Sequence, residues 1–110
     1  MLGVKEIDAA TLKQMMEEDP DLQLFDVRSQ AEFAQGIIPG GEFMPLHTVP
    51  LKLNELDKDK ITVFYCRSGA RSAQACAFVQ QNAGIETLNL RGGIISWYQS
   101  GFEIVRPETV

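Results

Sequence analysis

The stretch Ile-Thr-Val-Phe-Tyr-Cys-Arg-Ser-Gly-Ala-Arg-Ser, residues 61–72, decides the fold. Ile61 to Tyr65 is β-branched and aromatic with only Thr62 polar, the composition of a strand buried on both faces of a parallel sheet. From Ser72 to Ala83 the chain is rich in Ala and Gln and free of Gly and Pro. That composition predicts a helix, and Gly84 stands where it should stop. A turn this short between a buried strand and a helix aims successive backbone N–H groups, and the positive end of the helix dipole, at one point in space. Cys66 opens the turn, so its sulfur is expected over that nest of amides.

The chemistry follows from the position. A free thiol has a pKa of about 8.5, and a helix N-terminus with neighbouring guanidinium groups lowers it to roughly 3.5–7.5, which populates the nucleophilic thiolate at neutral pH. Arg67 and Arg71 are expected to supply that charge. Gly69 lets the backbone curl, while Ser68, Ala70 and Ser72 are small enough to leave the cradle open to an anion. No acidic residue lies between Asp59 and Glu86, so the local field is positive although the whole chain carries a net charge of -5. The candidate site is therefore Cys66 as nucleophile, with Arg67, Ser68, Gly69, Ala70 and Arg71 as the loop that binds the anion.

Outward from this centre the chain alternates strand and helix signals, which points to an α/β fold with a mostly parallel sheet of about five short strands and helices on both faces. Val4 to Ile7 reads as a first strand, and Asp8 as the N-cap of a helix from Ala9 to about Glu18. Leu12, Met15 and Met16 lie at core spacing on that helix. Leu22 to Val27 is a second buried strand. Ser29 and Glu32 form a capping box that opens a short helix closed by Gly36, and Arg28 is expected to pair with a carboxylate such as Glu32. Asp26, at the carboxyl end of its strand, faces the rim that holds Cys66 and serves as an orienter or a loop brace. A third short strand is expected around Phe43 and Met44, then a helix from Val49 to Leu56 with Leu51, Leu53 and Leu56 partly inward, then a charged turn from Asp57 to Lys60. His47, the only histidine, reads as a solvent-facing loop residue, because amide donors stabilise a thiolate without a base. Cys76 lies about one and a half turns into the central helix, too far along it to reach Cys66, and reads as a small buried residue. Ile85 to Leu90 is the last strand. Arg91-Gly92-Gly93 then turns into a helix in which Trp97 is read as a core anchor and alternatively as part of the pocket mouth. Residues 103–110 read as a poorly ordered tail.

Composition sets the outer limits. At 110 residues and 45% hydrophobic content, the chain reads as one domain, residues 1–110, with enough core to fold without disulfides or metal. Two cysteines do not make a secreted-type framework. No segment resembles a signal peptide, and no apolar run approaches the ~20 residues of a membrane span. A reducing cytoplasm is therefore expected. The acidic balance argues against nucleic acid and anionic membrane as partners. Metal-ligand spacings, Walker loops and dinucleotide fingerprints are absent, so no cofactor is expected.

Cys66-Arg67-Ser68-Gly69-Ala70-Arg71-Ser72 after a buried strand, with Asp26-Val27-Arg28 upstream and Leu90-Arg91-Gly92-Gly93-Ile94 and Trp97 downstream, resembles the single-domain rhodanese (sulfurtransferase) family over nearly the whole chain. The resemblance implies that Cys66 takes a sulfane sulfur from an anionic donor, thiosulfate or a persulfide, holds it as a cysteine persulfide, and passes it to a thiol, cyanide or protein acceptor. It also implies that Asp26 and Arg28 brace the sheet edge and that the Arg91–Gly93 turn flanks the pocket. Ile37 departs from the family, which commonly has histidine there; the change removes a polar brace. The spacing from Cys66 to Arg71 is Cys-x4-Arg, one residue shorter than the Cys-x5-Arg loop of related phosphatases, and the narrower ring suits a single added sulfur. Two alternatives stand beside this reading: a binding module or persulfide relay without turnover, and a phosphatase or arsenate reductase on the same scaffold. A monomer is the default oligomeric state.

Overall fold

The computed structural model describes residues 3–108. Five strands, β1 (Lys5–Ile7), β2 (Gln23–Asp26), β3 (Glu42–Phe43), β4 (Thr62–Tyr65) and β5 (Leu88–Leu90), form one sheet in the order β1-β5-β4-β2-β3. Every pairing is parallel. The central strand β4 is buried along its whole length, and its period of two separates the core into two layers. Phe64 and Cys66 face one layer, Val63 and Tyr65 the other. Helices α1 (Ala9–Glu18) and α4 (Gly93–Gln99) cover the second layer with Leu12, Ile94 and Trp97. Helix α3 (Ala70–Ala83) covers the first with Ala75, Cys76 and Val79. Helix α2 (Gln30–Gln35) follows β2 and stands over the loop after β4.

Local signals account for most element ends. Asp8 caps α1 by accepting the Thr11 N–H at 2.8 Å, and Ser29 and Glu32 close the reciprocal capping box of α2. Gly84, at φ +65°, ends α3. Helix α3 starts at Ala70, two residues before the expected Ser72, because Gly69 takes the cap position.

Three segments differ from expectation. The helix expected over 49–56 is two 3-10 turns, Leu46–Leu51 and Leu53–Glu55, with Pro50 inside the first; proline has no N–H to continue an α-helix. Leu51, expected partly inward, is 82% exposed, whereas Leu56 is buried. Strand β5 is limited to Leu88–Leu90, which pairs with β1 at all three residues and with β4 at Leu88 and Asn89.

The third difference concerns the C-terminal segment, expected as a loose tail from residue 103. Val105 exchanges both backbone hydrogen bonds with Ile37, at 2.8 and 2.9 Å. The Trp97 indole N–H donates to the Glu103 carbonyl at 2.7 Å, and Ile104 packs so close to Gly36 that a Cβ there would come within 2.8 Å of it. Backbone pairing, which the polar and proline-containing composition conceals, holds this segment. Residues 109–110 of the expected tail lie outside the described residues. Among the described residues, no helix is long and apolar enough to cross a membrane.

Candidate active site

Cys66 follows the last residue of β4 and is only 1% exposed. Its sulfur does not point into a purely apolar interior. The Gly69 N–H donates to Sγ at 3.1 Å, and the Ser72 hydroxyl lies 3.4 Å from it. Gly69 can make this approach because its φ of +105° tightens the chain into the N-cap of α3. The far side of the loop is held by α4: the N–H groups of Ile94 and Ile95 donate to the carbonyls of Cys66 and Arg67 at 2.9 and 3.3 Å. That contact requires Gly93, where φ is +61° and a Cβ would overlap both carbonyls.

The thiol titrates according to these neighbours. Burial raises its pKa, but hydrogen bonds from the Ser72 hydroxyl and the N–H groups of Ser72, Gly69 and Ser68 outweigh that, and the thiol is lowered from its ordinary value. The expectation named loop N–H groups and two guanidinium groups together; the hydrogen-bond donors are the leading causes that lower the thiol, and Arg71 interacts with Cys66 by charge. Arg71 is half-buried and bound end-on to Glu32, its Nη1 and Nη2 donating to the two carboxylate oxygens at 2.8 and 2.9 Å. Arg67 is exposed and has no ion-pair partner among the described residues. Ser68 is exposed and contributes its N–H, and Ala70 is the exposed first residue of α3. The structure thus brings Cys66, Ser68 and Gly69 together around the sulfur, and places Arg67 and Arg71 around them.

Three participants were not distinguished in the sequence. Ser72 reads there only as small, yet it supplies a hydroxyl. Asn89, buried on β5, donates from Nδ2 to the Gly69 carbonyl at 3.1 Å and to Glu6 at 2.9 Å, while its Oδ1 accepts from Ser72 at 2.5 Å. A polar residue between Leu88 and Leu90 in a buried strand was the available signal, since such a group needs partners. Glu32 reads as a helix-capping residue; its second role, as partner of Arg71 across 39 positions of sequence, has no local signature. The Arg71 hydrogen bonds, against a burial penalty, hold the Glu32 carboxyl down at about 2.

Arg28 also finds a different partner from the expected Glu32. Its Nε and Nη2 donate to the two Asp26 carboxylate oxygens, with Nη2 to Oδ2 at 2.7 Å, and Nη2 donates to the Gly36 carbonyl at 2.7 Å. Two residues apart at the end of β2, both side chains are buried, which makes Asp26 a brace for this loop. His47 is exposed and has no hydrogen bond to Cys66, and Trp97 is 1% exposed in the second core layer rather than at a mouth. Cys76 is fully buried in α3 and, like Cys66, is a free thiol. No group of side chains suited to a metal ion occurs among the described residues.

A concavity of about 740 Å³ between Phe33, Gly41, Phe43 and Val105 is not lined by the Cys66 loop. Two smaller clefts are. One of about 400 Å³ has Arg67 and Glu32 at its edge and Ile94, Ile95, Tyr98 and Ile104 along its wall. The other, of about 420 Å³, is lined by Arg71, Ser29 and His47.

The model of the rhodanese-like domain family matches residues 8–100. The chain belongs to that family. A protein of Allochromatium vinosum named as a sulfurtransferase is 49% identical over 105 residues, covering 96% of this chain and 98% of its own length. Among solved structures, a rhodanese-like domain protein from Staphylococcus aureus superposes with a TM-score of 0.82 at 35% identity, covering 93% of this chain and 99% of its own. A rhodanese-related protein from Thermoplasma volcanium gives 0.83 at 31% identity, with coverages of 92% and 97%. The rhodanese fold implied by the resemblance of residues 26–28, 66–72 and 90–97 is the fold observed.

Proposed function

We propose that this rhodanese is a sulfurtransferase that moves a sulfane sulfur through a persulfide on Cys66. One observation carries the reading: a buried thiol receives the Gly69 N–H at 3.1 Å with the Ser72 hydroxyl 3.4 Å away, at the junction of a buried strand and a helix N-terminus. The sulfurtransferase name of a relative 49% identical over nearly its whole length supports the same chemistry.

The Cys66 thiolate attacks the outer sulfur of the donor. An Sγ–S bond forms as the donor's S–S bond breaks, and the electron pair leaves on sulfite when the donor is thiosulfate, or on a thiolate when it is a persulfide. The Gly69 N–H and the Ser72 hydroxyl, with the amides of Ser68 and Ser72, stabilise the Sγ thiolate that attacks the donor and that is regenerated when the acceptor takes the sulfur. A cyanide or thiol acceptor then attacks the outer sulfur, the Sγ–S bond breaks, and its electron pair returns to Cys66. The cycle requires Cys66 reduced between turnovers, which a cytoplasmic setting provides. In this reading Arg67 and Arg71, which line the two clefts beside the loop, attract the incoming anion.

The test is thiocyanate formation from thiosulfate and cyanide, with intact mass of the protein after exposure to donor. Cys66→Ser loses turnover and the mass gain of one sulfur atom, and Cys76→Ser keeps both. A Cys66→Ser protein that retains them, or hydrolysis of an aryl phosphate at a comparable rate, overturns the scheme.

A further inference from the structure

Three arginines line the two clefts beside the Cys66 loop: Arg28, Arg67 and Arg71. Two are already matched. Arg28 is neutralised by the buried Asp26 carboxylate, and both terminal nitrogens of Arg71 are held by Glu32. Only Arg67 has no carboxylate against it among the described residues. The positive field that the loop sequence advertises is thus reduced by Glu32, which comes from a different element.

Glu32 cannot easily move aside. Its Oε1 accepts from the Ser29 N–H at 3.1 Å and the Ser29 hydroxyl at 3.0 Å as well as from Arg71, so swinging away breaks the α2 capping box along with the ion pair. Its depressed pKa keeps it ionised throughout the neutral range. An incoming dianion must therefore displace a four-times hydrogen-bonded carboxylate or sit beside its charge. The cleft that adjoins Arg67 has an apolar wall of Ile94, Ile95, Tyr98 and Ile104, a surface suited to a carbon substituent and not to a sulfonate.

We propose that Glu32 is a specificity-determining residue: by occupying Arg71 it tunes the site toward organic persulfides, which present a neutral or singly charged sulfur, and against dianionic thiosulfate. This deepens the sulfurtransferase reading and rests on it. In the favoured reaction the Cys66 thiolate attacks R–S–SH, an Sγ–S bond forms, the donor S–S bond breaks, and the electron pair leaves as R–S⁻. No external oxidant or reductant is needed, and the proton stays on the transferred sulfur.

The experiment measures the second-order rate constant for loading Cys66, by rapid quenching and intact mass, with thiosulfate and with the persulfide of 2-mercaptoethanol. No acceptor is present, so donor selectivity is read alone. The native protein loads faster from the persulfide. Glu32→Gln removes the charge but keeps a side chain that can still complete the capping box, and it raises the thiosulfate-to-persulfide ratio by about tenfold, the size expected when one like charge is removed from the path of a dianion at the protein surface. Arg67→Gln, which leaves α2 and the Glu32–Arg71 pair in place, lowers the same ratio by about tenfold. A merely structural role for Glu32 would move both donors together. A ratio unchanged in both variants, or native protein that loads faster from thiosulfate, overturns the proposal while leaving sulfur transfer through Cys66 intact. Absence of the mass gain with either donor overturns the transfer scheme itself.

Discussion

Cys66 and Cys76 share one core layer, yet they titrate in opposite directions. Burial pushes the Cys76 thiol up to about 11, and the same penalty acts on Cys66. What differs is the supply of donors: three amides and the Ser72 hydroxyl are directed at Cys66. The hydroxyl has one proton and two acceptors, since Asn89 Oδ1 lies closer to it than the sulfur does. With a neutral thiol the Ser72 hydroxyl donates to Asn89 Oδ1. Once the sulfur is ionised, rotation toward Sγ gains a charge-assisted hydrogen bond. Ser72→Ala removes this option and leaves the amides, so the thiolate loses stabilisation and the pKa rises. Alkylation of the native protein by iodoacetamide is expected to show a midpoint below that of an ordinary thiol, and in Ser72→Ala the midpoint moves up. An unmoved midpoint would assign the whole effect to the backbone. Cys76 reacts only on unfolding in both proteins.

The capping box of α2 was legible as four residues of sequence, and its purpose beyond α2 was not. Glu32 reads as a local helix-start signal because its capping partner Ser29 lies three positions away; Arg71 reaches it from another helix, 39 positions on. The Gly92–Gly93 pair behaves similarly: sequence shows a tight turn, but the reason for Gly93 is the closeness of the Cys66 and Arg67 carbonyls. The Glu32–Arg71 pair makes a pH signature. Glu32 titrates at about 2 in the folded protein against 4.5 without its partner, so the native state binds fewer protons than the unfolded state across that window. Its contribution is complete above the unfolded value and is lost as pH falls through the folded one. Solvent reaches both side chains, at 36% and 27% exposure, which limits the contribution to about 1 kcal/mol. The difference in urea midpoint between native protein and Glu32→Gln is therefore expected to be present at about pH 5 and to shrink toward zero at about pH 2. A difference independent of pH would mean that the substitution acts through packing alone.

At the scale of the whole molecule, the parallel sheet was legible because its inner strands carry apolar runs that only double-sided burial explains, as Thr62–Tyr65 shows. Elements closed by backbone pairing were less so, since the backbone of one residue looks like that of any other in sequence. The C-terminal segment is the plainest case. Val105 pairs with Ile37, and there main-chain hydrogen bonds between two distant segments tie the loop down. Trp97, buried between α4 and the sheet, needs an acceptor for its N–H and finds it only in the Glu103 carbonyl, with the Phe102 ring 5.0 Å from its own. Ending the chain at Phe102 removes both backbone bonds to Ile37, strands the buried indole N–H and uncovers the Ile104 contact. Three hydrogen bonds at about 1 kcal/mol each and one aliphatic side chain give a loss of about 3–5 kcal/mol. Urea unfolding of the shortened chain measures that loss as a lower midpoint, and a red shift of Trp97 fluorescence in the native baseline reports the exposed indole. If the midpoint and emission stay those of the full chain, the segment is a passenger on the surface, and the packing of Trp97 is complete without it.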